Sequence, residues 1–247
     1  MDIDNRTVLI VGATSGIGLG LARRFAAAGS TVIVGGRNTA RLADLETVTI
    51  DVTDPSSVES ARDAVLAKHP GLDTVVTMSG VMQLEDLRDP AHFAIAETTV
   101  DVNLLGTIRV IDAFTPHLIE RRGGTIVTVT SGIAFLPFPL MPSYAASKAG
   151  VHAYTEALRA QLAGIGVEVA ELVPPAVATA GQENVNPSAL PLESFLDEVI
   201  GLMSANPTPR EILVEGVKMH RWAERDGSYD ELVARRSQAL SSLPGRS

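Results

Sequence analysis

The sequence contains no cysteine, so the protein can form neither a disulfide nor a thiolate metal site. It also lacks any stretch that approaches the roughly 20 apolar residues of a membrane span. Its acidic start, Met1 to Asn5, does not have the layout of a signal peptide. These absences predict a soluble protein of a reducing compartment, and we expect a cytoplasmic location.

Basic residues are scarce as well. The 20 Lys and Arg residues are outnumbered by 29 Asp and Glu, which gives a formal net charge of -9 at pH 7. Nucleic acids and anionic membranes normally require a basic surface, so neither is an expected partner. With 247 residues, 45% of them hydrophobic, the chain is long enough for one large core and short for two ordinary domains. We expect a single domain over residues 1–247.

Two kinds of catalytic site are also missing from the sequence. None of the five histidines stands at ligand spacing from an acidic residue or another histidine, so we expect no metal site. The G-x-S-x-G pattern of a nucleophile elbow is absent, which counts against a hydrolase.

Short β-branched and apolar runs alternate with helical periodicity along the chain. Since each crossover between parallel strands needs a helix, this alternation predicts a doubly wound α/β fold with a seven-stranded parallel sheet. The predicted strands are 7–11, 31–34, 48–50, 72–78, 125–130, 167–173 and 212–214. A short helix is predicted over 38–45, one long helix or a helix pair over 91–121, a substrate-loop region over 181–206, and a helical tail over 216–247. In that tail, Ser228 and Glu231 form a predicted capping box.

A glycine-rich turn directly follows the first predicted strand. Such a turn, at the start of a helix, presents backbone N–H groups and the positive helix end to a phosphate. The residues that would bind it are Gly12, Thr14, Ser15, Gly16, Ile17 and Gly18. The alternative is a tight strand-to-helix turn without a ligand.

The end of the second strand predicts which nicotinamide cofactor binds. An acidic residue there usually meets the ribose 2′-hydroxyl, but this chain has Gly35-Gly36-Arg37. A guanidinium can hold a 2′-phosphate in a forked pair, whereas a carboxylate would repel it. We therefore predict NADP(H) over NAD(H). The alternative is a solvated arginine at a helix start.

A hydroxyl, a phenol and an ammonium follow one another at Ser131, Tyr144 and Lys148. Positions four apart lie on one face of a helix, so Tyr144 and Lys148 can touch. Because the chain has only three Tyr and three Lys, a chance pairing is improbable. An ordinary surface pair remains the alternative.

In order, the chain carries Gly12-x-x-x-Gly16-Ile17-Gly18, Asp51-Val52, Gly80, Asn103 in Asn-Leu-Leu-Gly, Ser131 and Tyr144-x-x-x-Lys148. From residue 7 to 179 it resembles the short-chain dehydrogenase/reductase family. The family's fold is a seven-stranded Rossmann sheet, and its tetrad maps onto Asn103, Ser131, Tyr144 and Lys148. The resemblance also implies that Asp51 holds the adenine, that Lys148 grips the nicotinamide ribose and that Thr179 meets the nicotinamide carboxamide. Val52, Gly80 and Val177 are further expected cofactor-binding residues.

The chain departs from the family's sequence pattern at two places, and it also resembles one subgroup of the family. Thr77-Met78-Ser79 stands where the family has Asn-Asn-Ala, so amide groups that would brace the sheet are missing. Pro174-Pro175 replaces Pro-Gly, which fixes φ on the way to Thr179. Pro-Pro-Ala, the segment 210–215 and the long tail look like a subgroup named after the oxidoreductase of lipoteichoic-acid D-alanylation operons. By family resemblance we expect a homodimer or homotetramer through helices 91–121 and 143–163.

These residues predict an oxidoreductase that interconverts a ketone or aldehyde and an alcohol. Tyr144 would be the general acid–base, with its pKa lowered by Lys148, and Ser131 would orient the carbonyl. Phe135, Phe138 and Met82 are the predicted pocket for a small hydrophobic substrate, although core packing or a subunit interface would also explain the apolar loop. A non-catalytic NADP(H)-binding sensor is the alternative function.

Overall fold

Seven parallel strands form the centre of the protein. The computed structural model describes residues 1–179 and 188–245. The strands of the sheet are β1 Thr7–Val11, β2 Thr31–Gly36, β3 Glu46–Thr49, β4 Thr74–Thr77, β5 Gly124–Val129, β6 Val167–Val173 and β9 Glu211–Leu213. Two short strands, β7 Val177–Ala178 and β8 Leu190–Pro191, pair apart from it. The order β3-β2-β1-β4-β5-β6-β9 confirms the predicted doubly wound parallel sheet.

Helices connect the strands and cover both faces of the sheet. The α-helices are α1 Gly16–Ala27, α2 Pro55–Lys68, α3 His92–Val100, α4 Gly106–Glu120, α5 Pro142–Leu162, α6 Leu192–Met203, α7 Glu215–Arg221 and α8 Tyr229–Ser237. A π-helical segment, Asp101–Leu105, joins α3 to α4, and 3-10 turns occupy Gly132–Ala134 and Gln238–Ser242. The predicted helix over 91–121 is therefore one helical path with a wider turn in its middle.

Two hydrophobic cores lie on the two faces of the sheet. Successive side chains of a strand point to opposite faces. Val8 and Ile10 of β1 accordingly pack into the core that contains Phe25 of α1 and Phe195 of α6. Leu9 and Val11 pack into the other core, with residues of α2 and α4. A strand that is apolar at every position is thus buried on both sides.

The strand order places a crevice where the functional side chains can meet. β1 pairs with β2 on one side and with β4 on the other, so the chain winds outward in both directions from this point. Ligands of open α/β sheets bind outside the carboxyl ends of the strands at such a switch point. The glycine-rich turn after β1 and the segment after β4 both begin there.

Two local predictions are wrong. Residues 38–45 form turns instead of a helix, because a segment of this length with one buried anchor, Leu42, cannot offset the cost of helix nucleation. The predicted capping box at Ser228 is not made. The Ser228 hydroxyl instead donates to the Ala223 carbonyl at 3.5 Å, and α8 begins at Tyr229 without a side-chain cap.

The structure describes the predicted tail up to residue 245 and only part of the predicted substrate-loop region. The first residues of the substrate-loop region, 181–187, lie outside the described residues. The rest of that region forms β8 and α6, and the predicted tail contains α7 and α8. Over residues 1–179 and 188–245, every helix is too short or too polar to cross a membrane.

Candidate active site

The glycine-rich turn packs so closely that side chains would not fit. Gly12 has φ +92°, and a Cβ there would lie 2.4 Å from the backbone nitrogen of Ser79. A Cβ on Gly18 would lie 2.7 Å from the Ala13 Cα. No side chain caps the N-terminus of α1, and its first turn contains no acidic residue. The turn therefore leaves backbone N–H groups and the positive helix end free for an anion.

Arg37 and Asp51 follow the carboxyl ends of β2 and β3. β2 ends at Gly36, where a Cβ would lie 2.5 Å from the Thr14 Cγ2, so a larger residue would collide with the glycine-rich turn. Arg37 follows it and is exposed. The Asp51 carboxylate accepts from the backbone nitrogen and the hydroxyl of Thr53. These hydrogen bonds, and then the charge of Arg37, lower the pKa of Asp51. Val52 is buried against Gly106.

Asn103 lies in the π-helical segment and is fully buried. Its Oδ1 accepts from the Val81 nitrogen at 2.8 Å, and its Nδ2 donates to the Val81 carbonyl at 2.9 Å and to the Ser147 hydroxyl at 3.1 Å. The amide thus holds the segment after β4 against α5. A π-turn inside a helix is often found at a functional site.

Tyr144 and Lys148 lie on one face of α5, as their spacing predicts, and Ser131 lies near Tyr144. Ser131 lies two residues after the end of β5 and caps the 3-10 turn, where its hydroxyl accepts from the Ile133 nitrogen at 3.3 Å. Its side chain is also near enough to the Tyr144 phenol to oppose the effect of burial on the pKa of Tyr144. Tyr144 and Lys148 are one turn apart on α5, and the Lys148 Nζ lies 5.9 Å from the centroid of the Tyr144 ring. Lys148 is 4% exposed, and its Nζ donates to the Val129 carbonyl at 2.8 Å. The tetrad residues therefore lie on three neighbouring elements at the carboxyl edge of the sheet.

Burial favours the neutral forms of both ionisable tetrad groups. It raises the pKa of Tyr144, against the opposing effect of the Ser131 hydrogen bond. It also lowers the pKa of Lys148 to about 8. Gly80 lies beside Asn103 and Lys148: a Cβ there would be at ordinary contact distance, 3.4 Å from the Asn103 Oδ1 and 3.8 Å from the Lys148 Nζ. The Lys148 ammonium, 5.9 Å from the centroid of the Tyr144 ring, is a positive charge that favours a phenolate.

Thr179 reaches the glycine-rich turn despite Pro174-Pro175. Its Cγ2 lies 3.3 Å from the position that a Cβ on Gly16 would take. Val177 in β7 leads to it and pairs with Leu190. The first proline serves as an anchor, since the Pro174 carbonyl accepts from the Gly132 nitrogen at 2.9 Å. The departure from Pro-Gly thus leaves Thr179 beside the cofactor-binding turn.

The sequence did not point to Glu85, which is buried beside the tetrad. Its carboxylate accepts from the Ser143 nitrogen at 2.9 Å and the Ser143 hydroxyl at 2.7 Å, at the start of α5. His92 Nδ1 lies 3.4 Å from it. Ser143 directly precedes Tyr144, so Glu85 fixes the first turn of α5, the helix that carries Tyr144. Its partners are distant in sequence, and no local pattern marks it.

The predicted pocket residues lie in different surroundings. Met82 is 43% exposed beyond Gly80, and Phe138 is partly buried in the loop before α5. Phe135 instead packs inside the loop: its ring meets the His152 ring edge-on at 4.7 Å, and the Arg221 Cζ lies 4.5 Å above it. Met82 is thus exposed, Phe138 is partly exposed, and Phe135 makes its ring contacts with His152 and Arg221.

A buried polar network lies behind Phe135. Glu171 of β6 accepts from the Thr130 hydroxyl at 2.6 Å and contacts His152 Nδ1 at 2.8 Å. Glu211 of β9 accepts two hydrogen bonds from Arg221, each 2.8 Å long. Donor atoms of His152, Glu171 and Glu211 lie within 4.8 Å of one another, a grouping that sequence spacing cannot show. A cation there would have to compete with the guanidinium on Glu211.

This strand order, with a glycine-rich turn at the switch point, defines the Rossmann-type dinucleotide-binding architecture. Residues 6–189 match the family model of the short chain dehydrogenases. The chain belongs to the short-chain dehydrogenase/reductase family of oxidoreductases, as its motifs predict.

Named relatives and a solved structure are similar to the chain. An uncharacterized oxidoreductase, DltE, of Bacillus subtilis is 36% identical over 187 residues, which cover 72% of this chain and 74% of the relative. Sulfoacetaldehyde reductase 2 of Chromohalobacter salexigens is 36% identical over 178 residues, 68% of this chain and 71% of the relative. A short chain dehydrogenase from Burkholderia cenocepacia in complex with NADP superposes with a TM-score of 0.83 at 26% identity, covering 96% of this chain and 99% of the other. The similarity to DltE agrees with the predicted subgroup.

Proposed function

We propose that the protein is an NADP(H)-dependent oxidoreductase that interconverts a ketone or aldehyde and an alcohol, with Tyr144 as the general acid–base. The observation that carries the proposal is the arrangement of the tetrad. The Ser131 side chain is near enough to the Tyr144 phenol to lower its pKa against the effect of burial, and the Lys148 Nζ lies 5.9 Å from the centroid of the Tyr144 ring. This places two hydroxyl donors at one point beside a buried cation.

The proposed chemistry separates a hydride from a proton. NADPH, when bound, supplies the hydride that reaches the carbonyl carbon. The negative charge that grows on the carbonyl oxygen needs hydrogen-bond donors, and the hydroxyls of Ser131 and Tyr144 provide them. Tyr144 then gives its proton to that oxygen, and in the opposite direction it removes the proton of the alcohol.

Lys148 and Asn103 support this proton transfer. A free phenol has a pKa near 10 and loses its proton poorly at pH 7. In the ligand-free protein burial raises the pKa of Tyr144. We propose that the protonated Lys148 ammonium, 5.9 Å from the centroid of the Tyr144 ring, favours the phenolate and opposes this rise. Asn103 holds Val81 on one side and Ser147 on the other, so the segment after β4 stays in place beside Tyr144.

The residues on the adenosine side favour NADP(H). Arg37 is exposed. The preceding residue is Gly36, and an acidic side chain at that position would clash with the Thr14 Cγ2. The Arg37 guanidinium can pair with a 2′-phosphate in a forked geometry. The Burkholderia cenocepacia relative in complex with NADP supports this choice. We therefore assign the 2′-phosphate to Arg37 and the adenine to Asp51.

The mouth of the site favours a small hydrophobic substrate. Met82, Leu84 and Leu87 are exposed apolar side chains on the segment after β4, and Phe138 lies on the loop before α5. Apolar walls with a few fixed polar groups are the usual composition of a small-molecule site. Ser131 and Tyr144 would be the fixed polar groups.

The test is the oxidation of NADPH with a panel of hydrophobic ketones and aldehydes. We expect turnover by the wild-type protein and a loss of about 100- to 10,000-fold in kcat for Tyr144→Phe. Tyr154→Phe is the matched control, because the Tyr154 hydroxyl bonds to Asp112 on the protein surface. The dissociation constant should be lower for NADPH than for NADH.

Two outcomes would overturn the proposal. Wild-type turnover no higher than that of Tyr144→Phe, with NADPH binding intact, would favour the non-catalytic sensor. A lower dissociation constant for NADH would show that Arg37 does not select the cofactor.

A further inference from the structure

The loop that carries the substrate wall is held by the C-terminal tail of the same chain. This loop, residues 132–141, starts directly after Ser131 and ends at α5, which carries Tyr144. Arg221 of α7 and Arg236 of α8 reach it from the tail, and we call these two residues the tail arginines. We propose that the tail arginines are positioning residues that fix loop 132–141 and so select the substrate, an inference that rests on the proposed function.

Arg236 connects the loop to α7. Its Nη1 donates to the Leu136 carbonyl, and its Nη2 donates to His220 Nε2 at 2.9 Å. Only a neutral imidazole has a nitrogen that accepts a hydrogen bond. Burial, together with the charges of Arg236 and Arg235, lowers the pKa of His220 to about 4, so the ring is neutral at pH 7. One planar guanidinium therefore bridges the loop and the tail.

Arg221 holds the same loop one residue earlier. Two hydrogen bonds to Glu211 fix its guanidinium, and its Cζ lies 4.5 Å from the Phe135 ring centroid. The Phe135 ring also contacts the His152 ring, which is one turn beyond Lys148 on α5. A cation over an aromatic face attracts it, and burial strengthens this attraction. Phe135 is thus held between the catalytic helix and the tail.

Close packing leaves the loop little freedom at either contact. A Cβ on Gly132 would lie 2.7 Å from both His220 Nδ1 and the Val217 Cγ2, so the backbone of the loop lies directly on α7. Leu136 is fully buried in a small cluster with Ala223 and Leu232 of the tail. This cluster is separate from the two cores that cover the sheet. The position of the loop therefore depends on the tail as well as on the sheet.

Loss of the tail arginines should weaken substrate binding and leave cofactor binding unchanged. The glycine-rich turn and Arg37 lie on the adenosine side, where neither tail arginine makes a contact among those described. Phe138, by contrast, follows the two held residues in the loop. Releasing the loop should let the apolar wall move while the cofactor site stays intact. The KM for a bulky substrate should then rise, and the affinity for NADPH should not change.

The experiment compares Arg236→Gln and Arg221→Gln with two matched controls. Arg235→Gln and Arg225→Gln remove the same charge from neighbouring exposed positions of the tail. Hydrogen exchange of the ligand-free proteins is read over residues 132–141. We expect exchange there to accelerate by about tenfold in the tail-arginine variants and not in the controls. Arg236→Lys should behave like Arg236→Gln, because a lysine has no fork to bridge two acceptors.

Kinetics provide the second readout. For a bulky aryl ketone, kcat/KM should fall by about tenfold or more in the tail-arginine variants, chiefly through KM. The dissociation constant for NADPH should stay at the wild-type value. Unchanged exchange in the loop would overturn the inference. Faster exchange spread over the whole sheet would overturn it as well, because the arginines would then stabilise the fold in general.

The two proposals can fail separately. If no carbonyl is reduced by any form of the protein, the proposed function is wrong, and the exchange measurement still decides whether the tail arginines hold the loop. If reduction occurs and the exchange in the loop is unaffected, the proposed function stands without this inference.

Discussion

At the scale of single residues, Lys148 is a cation buried without an acidic partner among the groups described around it. It is 4% exposed, and its ammonium donates to the Val129 carbonyl. Burial of an unpaired charge is unfavourable, and the pKa of Lys148 accordingly falls to about 8. At the surface the ammonium would remain hydrated at no such cost, but it would then be too far from Tyr144 to favour a phenolate. The site thus keeps a destabilising group where the proposed proton transfer needs it.

Lys148→Met should therefore stabilise the ligand-free protein and inactivate it. We expect the free energy of unfolding at pH 7 to rise by about 1–3 kcal/mol, because the variant no longer buries a charge. Activity should fall by about 100-fold or more. Denaturant unfolding and NADPH oxidation measure the two effects. Lys218→Met, on the exposed face of α7, is the control and should change neither by a comparable amount.

Lys148→Met should also change how the stability of the protein depends on pH. The unfolded state binds a proton at Lys148 below a pKa near 10.5, whereas the folded state does so only below about 8. Wild-type stability is therefore greatest above pH 10.5 with respect to this group and falls as the pH drops towards 8. Lys148→Met should lack this decline. A variant that is less stable than wild type at pH 7, or that keeps the decline, would contradict the assignment.

The spacing of Tyr144 and Lys148 could be interpreted from the sequence, but the buried carboxylate that supports their helix could not. The i, i+4 spacing was enough to place Tyr144 and Lys148 on one face of α5, since a helix fixes that geometry locally. Asn103 followed from the family resemblance. Glu85 was missed, because its contact with Ser143 depends on how the segment after β4 crosses the start of α5. No repeating pattern in the sequence around Glu85 indicates that the two segments cross.

At the scale of elements, α5 begins on a buried carboxylate. Glu85 accepts two hydrogen bonds from Ser143, and α5 has no side-chain cap at Met141. A negative charge near a helix N-terminus stabilises the helix. The carboxylate binds the residue before Tyr144, and we expect its negative charge to disfavour a phenolate at Tyr144.

Glu85→Gln should separate these two effects. Loss of the charged acceptor should lower the free energy of unfolding by about 1–3 kcal/mol. Removal of the negative charge should shift the apparent pKa of Tyr144 downward, which moves the corresponding limb of the kcat/KM profile to lower pH. Denaturant unfolding and a pH–rate profile measure these changes. Glu97→Gln, at an exposed position of α3, is the control. A shift of the profile to higher pH would refute the electrostatic role.

The elements that were mispredicted share a cause. Residues 38–45 and the start of α8 are short segments whose local signals were outweighed by packing and by alternative hydrogen bonds of the backbone. The π-turn at Asp101–Leu105 leaves no mark in the sequence, since its residues suit an ordinary α-helix. The long alternating segments, whose burial pattern repeats over many residues, were predicted correctly.

At the scale of the whole molecule, the order of the strands determines which distant segments meet. Thr179 reaches Gly16, and the tail reaches loop 132–141, although the sequence separates each pair widely. Parallel strands align their carboxyl ends, so the sequence predicted which edge of the sheet carries the site. It did not predict where the tail packs. The contacts of the tail involve single arginines and a small apolar cluster, and these have no periodic signature.

The outer surface of the molecule supports one prediction about assembly. Phe93 is 61% exposed on α3, and Val100, seven positions later on the same helical face, is 36% exposed. Exposed apolar side chains that share a face mark an interaction surface when they are contiguous. We expect a homodimer or homotetramer that buries this face, and light scattering of the wild-type protein measures the mass.

The double variant Phe93→Glu, Val100→Glu should shift the protein towards the monomer, because two carboxylates cannot be buried against a second apolar face without a large desolvation cost. Its unfolding midpoint, measured under conditions where the wild type is dissociated, should stay close to the wild-type value, since both side chains are already exposed. Met219→Glu, at a 49% exposed position of α7, is the matched control and should leave the mass unchanged. A wild-type protein that is a monomer at all concentrations would refute the prediction. An oligomer that persists in the double variant would place the interface on another surface.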